Sequence, residues 1–196
     1  MESGTISNAM YGGSNSEGTV SGSVYINIKG GTIGASGTSA DRVFGGGQGQ
    51  PTIVSGKTTI KITDEKNNVS IYGNIYGGSA FGKVGGNAAV SVKDTSSATN
   101  TISLSGDIYG GGSLADCTTS NVDIGNVTVN NVYGGGNYGA VGINNSSTTS
   151  TTMKIMGGTI NGSVYGGGKI SESGVYGLLQ CIYCDFCSGI LCAESI

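Results

Sequence analysis

The reactive side chains of this 196-residue chain are 12 carboxylates, 9 basic groups, 10 tyrosines and 5 cysteines, with no histidine at all. Without histidine there is no Ser-His-Asp triad, no His–Zn site and no imidazole base. Four of the cysteines crowd the end of the chain as Cys181, Cys184, Cys187 and Cys192, a C-x2-C-x2-C-x4-C run. Four thiolates suit zinc or an iron–sulfur cluster in principle. Zinc sites, however, usually pair two knuckles across a longer loop, and the spacing misses the common ferredoxin run. A disulfide-linked apolar cap and an atypical terminus are the other readings, and the spacing leaves all three open.

The other candidate chemistries are thinner. Gly56-Lys57-Thr58 mimics the end of a phosphate loop, but Pro51 stands where its first glycine is required. Calcium-binding β-rolls carry an Asp in each glycine-rich turn; of the turns here, only the one ending Ser113-Leu114-Ala115-Asp116 has one, so calcium would have at best an isolated site. Polysaccharide lyases and hydrolases need grouped carboxylates or a carboxylate with a basic partner. The acids Asp41, Asp64, Glu65, Asp94, Asp107, Asp116 and Asp123 are scattered. Two alignments at the repeat spacing stand out: Asp107 lies 33 residues after Asn74, and Asp123 falls near Asp94 in register. Net charge is −3 and the single arginine is Arg42, so the clustered basic surface of a nucleic-acid binder is missing. Asn-x-Ser/Thr at Asn68, Asn126, Asn144, Asn145 and Asn161 is what chance gives in a chain so rich in these residues.

The elements that carry these residues are set by an internal repeat. An aromatic followed by two glycines occurs at Tyr11, Phe44, Tyr76, Tyr109, Tyr133 and Tyr165, at spacings of 33, 32, 33, 24 and 32. A short β-like run precedes each ring, as in Ile71-Tyr72-Gly73-Asn74-Ile75-Tyr76 and Leu104-Ser105-Gly106-Asp107-Ile108-Tyr109. An alternating segment follows each: Val24-Tyr25-Ile26-Asn27-Ile28, Ile60-Lys61-Ile62, Val90-Ser91-Val92, Val122-Asp123-Ile124 and Met153-Lys154-Ile155. Alternation of β-branched and polar residues is the signal of a strand. No helical stripe exists, and 39 glycines would weaken any helix.

A unit of two or three short strands cannot bury its apolar face alone. Stacked on its neighbours, it forms continuous Ile/Val columns. The expected fold is therefore an all-β parallel β-solenoid of about six rungs with a period near 32 residues over 1–177, followed by a Cys-rich tail, 178–196. A propeller or sandwich is the weaker alternative, because a blade needs more residues than one period supplies. Parity places Ile71, Ile75, Leu104, Ile108, Ile160 and Val164 in the core, with Gly73, Gly106 and Gly162 facing inward between them. The rings then fall on the outside. Two roles are open to this column: packing over the glycine corners, or a platform for sugar C–H groups or a partner's apolar surface. Tyr11, Phe44, Tyr76, Tyr109, Tyr133 and Tyr165 are accordingly the candidate ligand-binding residues. Around Val127-Thr128-Val129 the pattern breaks, which predicts a bulge or a missing turn in the short repeat.

The units written Gly158-Thr159-Ile160-Asn161-Gly162-Ser163-Val164-Tyr165-Gly166-Gly167-Gly168 resemble those of large bacterial surface proteins with repetitive right-handed β-helical stalks, the adhesin-like class. The resemblance spans roughly residues 4–177 and is specific to a repeat style. It implies an extracellular or cell-surface, non-enzymatic, adhesive or structural role, with a host or cell-surface glycan or protein as partner and no cofactor. A carbohydrate-cleaving β-helix is the alternative. No run of apolar residues is long enough for membrane insertion, and no leader or wall-sorting signal is visible. The chain opens within repeat pattern, Gly4-Thr5-Ile6, so neighbouring repeats of a longer parent are expected. The tail is the only candidate cover for the last rung, so its removal is expected to promote end-to-end association.

Overall fold

A computed structural model describes residues 1–38, 40–95, 99–142 and 151–170. The chain winds through three walls per rung, and every strand pairs parallel with its equivalent in the next rung. The first wall stacks Thr5–Ile6, Gly31–Ile33, Val69–Ile71, Ile102–Leu104, Val127–Val129 and Gly158–Ile160. Met10–Tyr11, Asp41–Phe44, Asn74–Tyr76, Ile108–Tyr109, Val132–Tyr133 and Val164–Tyr165 make the second. A longer third wall holds Gly18–Val20 with Val24–Ile28, Thr52–Val54 with Thr58–Thr63, Lys83–Lys93, Cys117–Gly125 and Thr151–Ile155. This is the expected parallel β-solenoid. Six full rungs are not reached among the described residues, because the sixth has only its first two walls.

The register explains why the alternating segments alternate. Ile26, Ile60, Val90, Val122 and Met153 stand in one column, and Ile28, Ile62, Val92, Ile124 and Ile155 in the next. Both columns point inward to the main core, which they share with Ile33, Ile71, Ile75, Ile108, Val129 and Val132. Leu104, Ile160 and Val164 are only partly buried but pack against it. In one column of the third wall, Thr58, Ser120 and Thr151 each donate a hydroxyl hydrogen bond to a carbonyl of the glycine corner, at Gly77, Gly134 and Gly166. These bonds lock the corner to the wall.

One expectation needs correction. Gly73 and Gly106 are not spacers between core side chains. A Cβ at Gly106 would strike the backbone of Gly73 and Asn74 in the preceding rung, and one at Gly73 would strike the Ala40 carbonyl. Backbone meets backbone at this corner, which is what only glycine permits. The short repeat breaks parity where expected: Thr128 pairs with Ser103, 25 residues earlier, but Val132 with Ile108, 24 earlier, so the corner between its first and second walls is one residue shorter than its neighbours'. Most of its missing residues come from the arc between the third and first walls. There Asn126 alone, at φ 55°, joins Cys117–Gly125 to Val127–Val129, where the preceding rung has a longer connection. The Cys-rich tail 178–196 lies outside the described residues.

Candidate functional site

The second wall ends each strand on a ring, and the inward parity of Ile75 or Ile108 sends that ring to the outer face. There Tyr11, Phe44, Tyr76, Tyr109, Tyr133 and Tyr165 form one continuous stack. Successive centroids lie 4.9, 5.0, 4.7, 4.7 and 4.8 Å apart, and interplanar angles stay between 4° and 8°. The spacing is that of hydrogen-bonded strands, so the wall imposes it. The glycine loops fold over the outer edges, and Ala80 joins the rings in a second apolar cluster. Tyr76 and Tyr109 are fully buried, Tyr11 is partly buried, and Tyr165, on the last described rung, is open at 43%. A platform needs free ring faces; here the faces of the four inner rings lie against one another.

Beside the rings runs a ladder of acids and amides, Asp41, Asn74, Asp107 and Asn131. Tyr76 donates its hydroxyl to Asp41 at 2.8 Å, and Asn74 Nδ2 donates to the same oxygen at 3.0 Å. Asp107 takes hydrogen bonds on Oδ1 from Asn130 Nδ2 (2.7 Å), Asn131 Nδ2 (2.9 Å) and the Asn131 N–H (3.2 Å). On Oδ2 it accepts from the Tyr109 hydroxyl at 3.3 Å. The sequence alignment of Asp107 on Asn74 holds, with the Asp107 N–H donating to Asn74 Oδ1 at 2.8 Å. Acid alternates with amide, so each carboxylate meets donors rather than a like charge. Burial first, then the Asp41 charge for Tyr76 and the Tyr76 and Asp107 charges for Tyr109, raises both pKa values well above the ordinary 10.0. Asp123, by contrast, pairs in register with Ser91 and forms an ion pair with Lys93; Asp94 stands elsewhere, at the corner of Asp64.

A second column, which sequence reasoning passed over, lies on the crests of the glycine loops. Leu114 N–H donates to the Ala80 carbonyl, Tyr138 N–H to Ser113 and Ile170 N–H to Asn137, at 2.8, 2.7 and 2.7 Å. These bonds put Phe81, Leu114, Tyr138 and Ile170 in line on successive rungs. Each is about half exposed, at 53%, 51%, 52% and 46%. Their sequence signal is simple: each stands five residues after a ring. The column runs alongside the acid–amide ladder, for Ser113, next to Leu114, donates to Asp41 Oδ2 at 3.3 Å, and Lys169, next to Ile170, lies 4.0 Å from Asp107 Oδ2. On the first wall a different face appears. Thr5, Thr32, Ser70, Ser103, Thr128 and Thr159 stack there as an unbroken hydroxyl column.

Cys117 is buried, and burial followed by the Asp116 charge pushes its thiol up to about 12. It is therefore an inert core thiol. Among the described residues no three His, Cys, Asp or Glu side chains gather as a metal centre. Comparisons with protein-family models, with curated proteins and with solved structures gave no match.

Proposed function

We propose that this chain is a non-catalytic β-solenoid segment of a secreted or cell-surface protein, adhesive in role, which binds a glycan or protein partner along Phe81, Leu114, Tyr138 and Ile170. One observation carries the reading: four large apolar side chains, each half exposed, aligned on adjacent rungs. An isolated exposed hydrophobic is ordinary, but a contiguous row marks a contact surface. Phe81 and Tyr138 are aromatic, and such rings suit sugar C–H faces as well as protein apolar groups. The row takes over the recognition role that the sequence assigned to the stacked rings. The hydroxyl column of the first wall carries no carboxylate, which also favours a binder over an enzyme.

Affinity electrophoresis against immobilised polysaccharides and a pull-down on a panel of extracellular matrix and cell-surface proteins test this reading. Wild type should be retained by at least one, and Phe81→Ser/Tyr138→Ser should lose that retention while melting unchanged. Retention that survives the double substitution would falsify the assignment of the row.

A second reading rests on the acid ladder. Asp41 and Asp107 stand two rungs apart, roughly 9.6 Å at the strand spacing, near the upper limit for the acid–base pair of an inverting glycosidase. Their oxygens are already engaged by Tyr76, Asn74, Asn130 and Asn131, which favours a structural role. Release of reducing ends from a polysaccharide by wild type, lost in Asp107→Asn, would establish cleavage instead.

A further inference from the structure

The crest row has a pitch as well as an apolar character, and the pitch separates one class of partner from another. The bonds from Leu114 N–H to Ala80, Tyr138 N–H to Ser113 and Ile170 N–H to Asn137 are one-rung steps. Neighbouring side chains of the row therefore stand about 4.8 Å apart along the rod. Among the described residues the row is four rungs long, for in the two rungs before it the equivalent positions hold Ser16 and Gly49. It spans about 14 Å. It is also narrow: Gly82 and Gly139, which follow Phe81 and Tyr138, are buried. On that side Lys83 stands in register with Asp116, because Val84 pairs with Cys117. The flanking charges cancel.

Four half-exposed side chains of this size offer on the order of 400 Å², whereas a standard-size protein interface takes roughly 800 Å² from each partner. A single file of apolar groups suits instead a polymer that is narrow, flat and repeats at the same pitch. A pyranose chain with equatorial 1,4 linkages is such a ribbon. Each of its rings advances by little more than one strand spacing and presents C–H groups on its faces. Successive rings are turned over, so every second ring shows the same face. The two aromatics, Phe81 and Tyr138, stand two rungs apart, roughly 9.6 Å, and meet equivalent faces of one chain. An α-1,4-linked chain coils away from a straight row. We propose that the crest row binds a neutral β-1,4-linked glycan lying along the rod, one sugar ring per rung from Phe81 to Ile170. The proposal rests on the row being the contact surface assigned above. Lys83, Asp116 and Lys169 are exposed beside it and supply polar groups for sugar hydroxyls. Backbone hydrogen bonds stitch the crest rung to rung, so binding orders little that is not already fixed.

The test uses the full chain and isothermal titration with cellulose-derived and chitin-derived oligosaccharides, from the disaccharide to the hexasaccharide. Glucose oligomers with α-1,4 linkages, of the same lengths, are the comparison. At least one β-linked series should bind, tightening from the disaccharide to the tetrasaccharide, with the α-linked series about tenfold weaker or worse. Phe81→Ser and Tyr138→Ser should each weaken binding about tenfold, while Lys154→Ser, on the third wall, leaves it unchanged. Should one of the two fail to fold, the other and Leu114→Ser keep the test decisive. Silence toward both β-linked series overturns the glycan, as does equal affinity for the disaccharide and the hexasaccharide, or for α- and β-linked chains. If the oligosaccharides are silent but a protein partner is lost on Phe81→Ser/Tyr138→Ser, the row stands as a contact surface and only its glycan falls. Binding of any partner that ignores this double substitution removes the row itself.

Discussion

Two columns of large side chains run along this rod five residues apart in each of the later repeats, and they meet opposite environments. The rings from Tyr11 to Tyr165 stack face to face, with those of Tyr76 and Tyr109 at no exposure, whereas Phe81, Leu114, Tyr138 and Ile170 each leave about half their surface in water. Both columns owe their alignment to the same parallel register. What separates them is the glycine loop, which folds over the first and carries the second on its crest. Repetition alone makes ladders; the loop decides which ladder is core and which is surface.

The sharpest way to break this contrast is to empty the closed column. Tyr109→Ala should cost about 3–5 kcal/mol, the usual penalty for removing a large buried ring, measured by urea unfolding. A loss below 1 kcal/mol would mean that the stack is not a core. Next in size, Gly106→Leu should cost about 1–3 kcal/mol by overpacking, because its side chain must displace the Gly73–Asn74 backbone. A neutral melting curve would show that the rungs part easily at this corner.

Tyr109→Phe separates ring from hydroxyl. It keeps the stack and removes one bond to Asp107, so about 1 kcal/mol is expected. The same hydroxyls give a pH dependence. Tyr76 and Tyr109 have folded pKa values above 10.0, so their stabilising contribution is fully present below pH 10. It is lost as pH rises beyond that point, where the unfolded chain ionises first. Melting temperature should therefore fall steeply above pH 10, and less steeply in Tyr76→Phe/Tyr109→Phe; equal slopes would show that these hydroxyls are not held neutral by the fold. The smallest effect belongs to the open column. Tyr138→Ser should change stability by no more than about 0.5 kcal/mol, and a larger loss on unfolding would place Tyr138 in the core rather than on a contact surface.

Much of this was legible in the sequence. The Ile/Val alternation and the near-constant ring spacing encode the third-wall columns and the stack, because a parallel register lines up residues one period apart. Asp107 above Asn74 could be read in the same way. The crest column could not be found by that logic alone: Phe81 and Tyr138 are aromatics in glycine-rich loops, and no local pattern says whether such a loop covers its own strand or stands clear of it. The 24-residue repeat was ambiguous for a related reason, since a shortened period does not say which of three corners lost residues, and only the register of the stacked strands places most of the loss between the third and first walls.

The sequence by itself determined the repeat, the parallel stacking, the core columns and the equivalence of the six rings, all of which follow from periodicity and side-chain parity along one strand. Tertiary structure alone decided that the outward rings are buried and that Tyr76 and Tyr109 have carboxylate partners. Those outcomes depend on how loops and corners of different lengths pack across rungs, where residues about 30 positions apart in the chain become neighbours. Parity gives the direction in which a side chain leaves its strand, but not what it meets there.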